Sequence, residues 1–330
     1  MSGQQSVTAE GSSPIALVLG GSRGLGLLIA RELGAVGHRL VLCARHPAEL
    51  DQAAADLRER GHLVRTEVCD VADAAQVDAL VARTERDDGP IEVLVCVAGV
   101  IQVGPLRALG REHFQDAIDI MLWGPVNAAL AVVPVMRNRG RGRIGVVTSV
   151  GGLIAAPHLL PYSTAKFGAV GFTRGLRSEL AGSGVSVTTV APGLMRTGSH
   201  LRARFVGDHP REYAWFASAA SLPVLSMDAE RAAARIVRAV LLGRSDLTLT
   251  PLAWVAPRVA ALFPRFTAGL LGATTRMLPS APRASDRETL EGWQANERLS
   301  PTARRWVARL TALGSTAARR FNEIPLARRS

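Results

Sequence analysis

The sequence has almost no lysine. Of its 39 Lys and Arg residues only Lys166 is a lysine, and only two residues are tyrosine. Arginine is a planar fork that stays charged, whereas lysine is a compact ammonium whose pKa shifts readily. Because arginine replaces lysine everywhere else, we infer that position 166 requires the compact ammonium.

One of the two tyrosines, Tyr162, precedes Lys166 by four residues. On a helix these side chains share a face about 6 Å apart. An ammonium there favours the phenolate, so the spacing predicts a tyrosine pKa lowered from about 10 towards neutrality. Tyr162 would then be a usable general acid and base. The alternative is a chance pairing on a surface helix, which the absence of any other lysine disfavours.

Cysteine is also scarce. Cys43, Cys69 and Cys96 each lie in a β-like apolar run, and an odd number of buried thiols indicates a reducing compartment. The polar first 13 residues lack the features of a secretory signal. No uncharged apolar stretch approaches the roughly 20 residues that span a bilayer. These features predict a cytoplasmic protein, and we predict no metal site.

The positive charge is concentrated near the end of the chain. The formal net charge is +11, and residues 251–330 hold 13 Arg against 5 Asp and Glu, a net of +8. The first 250 residues therefore carry only +3. Because the arginines are interspersed with apolar residues and form no recognisable module, we expect no nucleic-acid partner.

Short apolar runs alternate with longer helical patterns through most of the chain. This alternation predicts an α/β fold, a doubly wound parallel sheet of the Rossmann type with helices on both faces. We predict strands at 15–19, 40–44, 63–69, 91–97, 143–148, 185–190 and 247–250. We predict helices at 24–37, 47–60, 73–87, 111–139, 161–181 and 228–242. The expected organisation is a flexible N-terminus (1–13), a catalytic domain (14–250) with a lid (194–225), and a basic, mostly helical extension (251–330).

The extension begins with two apolar helical stripes, separated by Pro264 and flanked by Arg258, Arg265 and Arg276. A loop at 280–287 and an arginine-rich helix around 303–313 follow. The stripes have two interpretations: a tail packed on the body, or an amphipathic surface that meets a membrane or a lipid-like substrate.

A glycine-rich segment follows the first predicted strand and leads into the first helix. Glycines there allow a tight turn and close approach to a pyrophosphate, and the helix N-terminus supplies free N–H donors. The alternative is a tight turn that binds nothing. The predicted cofactor residues of this segment are Gly20, Ser22, Arg23, Gly24, Leu25 and Gly26.

The end of the second strand indicates which dinucleotide binds. An acidic residue there would bind the 2′-hydroxyl of NAD, but the chain reads Cys43-Ala44-Arg45-His46. Arg45 and Arg23 could instead bracket the 2′-phosphate of NADP. We therefore predict NADP(H) as cofactor, with NAD(H) as the weaker alternative.

From about residue 14 to residue 250, the chain resembles the short-chain dehydrogenase/reductase family. The resemblance rests on motifs that occur in the family's order. They are Gly20-x-x-x-Gly24-x-Gly26, Asp70-Val71, Ala98-Gly99, Ser149, Tyr162-x-x-x-Lys166 and Pro192-Gly193-x-x-x-Thr197.

The resemblance implies roles for these residues. Tyr162 would exchange the proton at the substrate oxygen, Lys166 would hold the nicotinamide ribose and tune the tyrosine, and Ser149 would orient the substrate carbonyl. Asp70 and Val71 would contact the adenine. Further cofactor contacts are implied at Ala98, Gly99, Leu194 and Thr197.

The chain departs from the family pattern at two main places. Cys96 and Val97 replace the asparagine pair before Ala98-Gly99, and Met121 replaces a helical asparagine of a proton relay. The predicted function is an NADP-dependent oxidoreductase that interconverts a ketone or aldehyde and an alcohol. The alternative is a cofactor-binding sensor or scaffold with little or no turnover.

The predicted partners are a small carbonyl or alcohol substrate and a second copy of the chain, paired through the two long helices as the family usually is. Apolar residues in the lid predict a bulky apolar substrate. They are Leu201, Phe205, Tyr213, Trp215 and Phe216.

Overall fold

The computed structural model describes residues 13–222, 226–280 and 288–325. The predicted flexibility of residues 1–12, the end of the lid at 223–225 and most of the predicted loop at 280–287 lie outside these ranges, as do the last five residues.

The predicted sheet is confirmed: its seven strands are all parallel, in the order β11-β7-β6-β4-β1-β2-β3. Every residue of β1 is buried, as expected for a sheet covered on both faces. The strands are β1 (Ile15–Leu19), β2 (Arg39–Ala44), β3 (Val64–Val68), β4 (Ile91–Cys96), β5 (Gln102–Val103), β6 (Gly142–Val147), β7 (Val185–Ala191), β8 (Leu194–Arg196), β9 (Arg204–Phe205), β10 (Ser226–Asp228), β11 (Asp246–Thr248) and β12 (Leu290–Glu291).

Helices cover both faces of this sheet. The core on one face includes residues of α1, α2 and α8, and the core on the other includes residues of α3, α4, α5 and α6. The helices are α1 (Gly24–Ala35), α2 (Pro47–Glu59), α3 (Ala74–Arg83), α4 (Arg111–Ile118), α5 (Gly124–Arg139), α6 (Leu160–Glu179), α7 (His209–Ser221), α8 (Ala229–Leu241), α9 (Pro251–Leu262), α10 (Pro264–Thr275), α11 (Gly292–Glu297), α12 (Pro301–Leu310) and α13 (Ala312–Arg320).

The helix predicted at 111–139 is interrupted. A π-helical turn, Asp119–Trp123, separates α4 from α5. Pro125 explains the interruption, because its ring clashes with the carbonyl of residue 121 in a continuous α-helix and it has no N–H to donate. Among the described residues, Arg111–Arg139 is also long enough to cross a membrane, and its most apolar 18 residues have a mean hydropathy of 1.6. Here it packs against the sheet, as the core helix of a globular domain does.

The extension is helical, as predicted, and its second half is joined to the lid. Strand β12 pairs antiparallel with β9 of the lid, which pairs parallel with β5. Around this small sheet lies a third core, where Phe205 and Tyr213 of the lid pack with Leu299 and Val307 of the extension. The first half differs, because α9 buries only Ala253 and α10 buries no residue within these described helices.

Candidate active site

Side chains predicted to be catalytic meet beside the carboxyl end of β6. Ser149 follows that strand, while Tyr162 and Lys166 lie one turn apart on α6. The Ser149 hydroxyl is a hydrogen-bond partner of the Tyr162 hydroxyl, and it accepts a hydrogen bond from the Gly151 amide at 3.0 Å. The Lys166 ammonium donates to the Val147 carbonyl at 2.8 Å and lies 5.8 Å from the centre of the Tyr162 ring.

Burial dominates the electrostatics of this group. It raises the pKa of Tyr162, and the hydrogen bond from Ser149 only partly opposes that rise. It lowers the pKa of Lys166 to about 8. The prediction that Lys166 lowers the tyrosine pKa is therefore wrong for this structure. The ammonium is turned to a backbone carbonyl, and desolvation of the phenolate outweighs any charge effect.

Met121 lies in the π turn and is buried against the same cavity. Its thioether cannot replace the amide of the family's relay asparagine. However, Pro125 cannot donate an N–H to the Met121 carbonyl, which is the bond a regular α-helix would make. The Met121 carbonyl therefore lacks its regular α-helical donor, whichever side chain is present. The sequence contained the signal for it, a proline four residues after Met121.

The glycine-rich segment forms the other end of the cavity, between β1 and α1. Gly20 has φ 88°, and a Cβ there would lie 2.6 Å from the Ala98 amide nitrogen. A Cβ on Gly26 would lie 1.9 Å from the Gly20 carbonyl oxygen. Both positions therefore require glycine, and the loop packs directly against the chain that leaves β4.

One cavity of about 680 Å³ joins the two ends. It lies at the carboxyl edge of the sheet, where ligands bind in open α/β folds. The predicted residues that line it are Gly20, Ser22, Arg23, Leu25, Gly26, Arg45, Asp70, Val71, Ala98, Gly99, Ser149, Tyr162, Lys166, Leu194 and Thr197. The remaining one, Gly24, does not line it: its amide donates to the Phe321 carbonyl, and a Cβ on it would meet Glu323.

These residues fit a dinucleotide. The cavity has the volume of a small-molecule site, and the N-terminus of α1 opens into it. Arg45 is the more available cation: its side chain is 42% exposed, and the carboxylate paired with it, Asp70, lies 3.9 Å away. Within the described ranges, no group of three or more His, Cys, Asp or Glu side chains could hold a metal ion.

Arg23, which the sequence predicts to bracket the 2′-phosphate with Arg45, is already paired with two carboxylates. Its Nη1 lies 2.5 Å from Glu49 Oε2, and its Nε lies 3.5 Å from Glu323 Oε2. Arg202 pairs with the other oxygen of Glu49 at 2.8 Å. Glu49 was visible on the second helix, but nothing in the sequence places Glu323 beside the glycine loop.

The lid aromatics have two different roles. Trp215 and Phe216 line the cavity. Phe205 and Tyr213 pack in the core that joins the lid to the extension, and Phe216 belongs to that core as well. Leu201 is buried and does not line the cavity either. The extension also contributes to the cavity wall, which the sequence did not reveal. Its lining residues are Leu252, Ala253, Ala256, Thr274, Leu278 and Glu323.

Comparison with known families agrees with this geometry. A family model described as short chain dehydrogenase matches residues 14–204. The chain belongs to this family. Its members act on carbonyl and alcohol groups with a nicotinamide dinucleotide, so the chain is an NAD(P)-dependent oxidoreductase, and a sensor or scaffold without turnover is not favoured.

Similar proteins point the same way. A candidate ketoacyl reductase of Streptomyces coelicolor is 39% identical over 191 residues, which cover 57% of this chain and 73% of the relative. A solved actinorhodin polyketide ketoreductase with NADPH has a TM-score of 0.66 and 30% identity, and the match covers 74% of this chain and 99% of that one. A gluconate 5-dehydrogenase from Burkholderia cenocepacia with NADP and tartrate has a TM-score of 0.62 and 26% identity, covering 73% and 95%.

Proposed function

We propose that the protein is an NADP(H)-dependent enzyme that interconverts a bulky apolar ketone or aldehyde and its alcohol. The observation that carries this proposal is the single cavity in which Ser149, Tyr162 and Lys166 face the glycine loop. Reduction is the direction we test, because several similar proteins are named as reductases.

The side chains divide the reaction between them. The Ser149 hydroxyl orients the substrate oxygen beside Tyr162, whose phenol gives that oxygen a proton as the carbonyl is reduced and takes it back in oxidation. Lys166 provides a positive charge close to the phenolate left behind. A bound nicotinamide supplies or accepts the hydride.

The cofactor preference rests on the end of β2. Ala44 and Arg45 stand where a carboxylate would select NAD, and Arg45 is the more available of the two arginines. Two of the similar structures were solved with NADPH or NADP, which agrees with this preference. NAD(H) is the weaker candidate.

Apolar walls support a bulky substrate. Trp215 and Phe216 of the lid and Leu252 of α9 line the cavity together. The test is NADPH oxidation against paired small and bicyclic ketones, with Tyr162→Phe as a matched control. We expect higher kcat/KM for the bicyclic member of each pair and no activity in the variant. Equal rates for both members would contradict the substrate proposal, and no oxidation with any carbonyl compound would contradict the reaction.

We further propose that α9 and α10 rest on an anionic membrane surface. These helices and the turn after α10 expose apolar side chains that a monomeric surface rarely leaves in water: Leu262 in α9 (74% exposed), Phe266 in α10 (65%) and Met277 in the turn (86%). Residues 251–280 contain three arginines and no Asp or Glu. This combination matches anionic lipid, because apolar side chains enter the interface while arginines meet the headgroups.

Flotation with vesicles tests the surface. We expect wild-type protein to float with vesicles containing phosphatidylglycerol and to remain unbound with phosphatidylcholine alone. Phe263→Ser with Phe266→Ser should abolish flotation, whereas Leu63→Ser, which removes an exposed leucine before β3, should not. Equal binding of wild type and the double variant would contradict the proposal.

Pairing of two copies and a cytoplasmic location stay predictions. Trp123, Leu130 and Phe167 are exposed on or beside the two long helices α5 and α6, where a second copy would cover them. Light scattering of wild type and Leu130→Arg checks this: a dimer that becomes a monomer supports the pairing, and a wild-type monomer contradicts it.

A further inference from the structure

We propose that residues 318–325 (the C-terminal segment) are a working part of the dinucleotide site. In this proposal the segment fixes the glycine loop, and Glu323 weakens binding of a 2′-phosphate relative to a 2′-hydroxyl. The inference rests on the proposed dinucleotide binding. The family model ends at residue 204, so the segment lies outside the part of the chain that it matches.

The segment caps the glycine loop through backbone hydrogen bonds. The Gly24 amide donates to the Phe321 carbonyl at 2.7 Å, and the Asn322 side-chain amide donates to the Ser22 carbonyl at 2.9 Å. Among described residues, no side chain caps α1, because Arg23 occupies the N-cap position. A helix start needs acceptors for its first N–H groups, and the segment supplies one.

The segment is held in place on two sides. Phe321 is buried in the core that contains α1, and Arg202 of the lid donates from Nε to the Glu323 carbonyl at 3.1 Å. Asn322 also donates to the Glu49 carbonyl at 3.2 Å, which ties the segment to the start of α2. The loop, α2 and the lid therefore meet on this segment.

Glu323 brings a second carboxylate to Arg23. Glu49 is shared by Arg23 and Arg202, so its charge is well compensated. Glu323 is buried and lines the cavity, and its Oε2 accepts no hydrogen bond from the described residues and lies 3.5 Å from Arg23 Nε. Burial raises the pKa of Glu323, while the charges of Arg23 and Arg202 favour its carboxylate form. A 2′-phosphate that approaches Arg23 meets this carboxylate as a like charge, whereas a 2′-hydroxyl does not. In this proposal Glu323 thus opposes the preference for NADP over NAD that Arg45 confers.

Calorimetric titration tests the charge without requiring turnover. The ligands are NADP⁺ and NAD⁺, together with adenosine 2′,5′-bisphosphate and adenosine 5′-monophosphate, which report only the adenosine end. For Glu323→Gln we expect about 3- to 10-fold tighter binding of the two 2′-phosphorylated ligands and changes within twofold for the others. The matched control is Glu230→Gln, which removes the exposed Arg320–Glu230 ion pair of the same segment and should change nothing.

If Glu323→Gln leaves the ratio of the NADP⁺ and NAD⁺ affinities unchanged, the charge argument is overturned. Weaker binding of the phosphorylated ligands would also overturn it, because Glu323 would then act by holding Arg23 in place. A wild-type protein that binds neither dinucleotide would instead contradict the proposed function.

Removal of the segment tests the cap. A chain that ends at Arg320 should lose about tenfold or more in affinity for both dinucleotides, whereas a chain that ends at Pro325 should bind as wild type. Asn322→Ala provides a test that does not depend on a shortened chain, and should weaken both dinucleotides by about 2- to 5-fold. Unchanged affinity in Asn322→Ala and in a folded chain ending at Arg320 would overturn the cap.

Discussion

The two ends of the cavity are built in different ways. Ser149, Tyr162 and Lys166 come from one strand end and the helix that follows it, and burial sets the pKa of both the tyrosine and the lysine. At the adenosine end, Arg23 and Glu49 are joined by residues from the lid and the C-terminal segment, and ion pairs dominate. A local motif therefore forms the predicted catalytic end, while segments distant in sequence form the proposed adenosine end.

This difference predicts that substitutions at the two ends change separate quantities. Changes at the catalytic end should alter turnover and leave cofactor affinity intact. Changes at the adenosine end should alter the choice of dinucleotide and leave the rate at saturating cofactor intact.

The largest expected effect is that of Tyr162→Phe. The ring still packs but has no proton to transfer, so turnover should fall about 1000-fold, within the range for loss of a general acid. NADPH affinity should stay within twofold by calorimetry. Retention of more than a few per cent of the single-turnover rate would contradict the acid and base role.

Lys166→Met should also abolish turnover. It should further show how much the buried ammonium lowers the free energy of unfolding. Lys166 has its pKa lowered to about 8 when folded, so between pH 8 and 10.5 the unfolded chain holds a proton that the folded chain has lost. Wild-type stability therefore rises with pH relative to the variant, by up to about 3 kcal/mol across that window.

Urea unfolding of wild type and Lys166→Met at pH 7, 9 and 10.5 measures this difference, since titrations shared by the two proteins cancel. A stability difference that does not depend on pH would show that the ammonium is not desolvated.

Arg45→Asp should reverse the cofactor preference. The substitution removes a partner of the 2′-phosphate and places a like charge there, so the ratio of NADP⁺ to NAD⁺ affinity should fall by about tenfold or more. The rate at saturating cofactor should change little. If the ratio stays constant, the selectivity resides in Arg23 and its two carboxylates.

Met121→Asn should have the smallest effect. The Met121 carbonyl faces no N–H from Pro125 whichever side chain is present, so we expect single-turnover hydride transfer within about threefold of wild type. A buried amide without a partner would cost about 1–3 kcal/mol of stability. A tenfold faster rate, equal to about 1.4 kcal/mol of barrier, would show that the side-chain amide is the missing part of a relay.

Much of the fold could be predicted from the sequence. Buried parallel strands produce continuous apolar runs, and for this reason β1 was predicted to the residue and the other six strands of the main sheet to within two residues. The spacing of Ser149, Tyr162 and Lys166 likewise predicted that these three side chains lie close together. These features are local, and hydrophobic periodicity or motif spacing reports them directly.

What the sequence could not show depends on contacts between distant residues. The two-residue strands β5, β9 and β12 are too short to form a pattern. Nothing in the lid sequence distinguishes the environments of Phe205 and Trp215, although Phe205 packs in the third core and Trp215 lines the cavity. No local pattern in the sequence predicts the pairing of Arg23 with Glu323, because it depends on how the first helix, the lid and the extension pack together.

The hydrogen bond between Asn322 and Ser22 joins residues 300 positions apart. On a ribosome the glycine loop is therefore made 300 residues before the residue that caps it. At about 5–20 residues per second the delay is roughly 15–60 s. During that time the nascent sheet can form while its dinucleotide loop still lacks the cap. Cofactor added during translation therefore encounters an uncapped glycine loop, whereas cofactor added after release encounters a capped one.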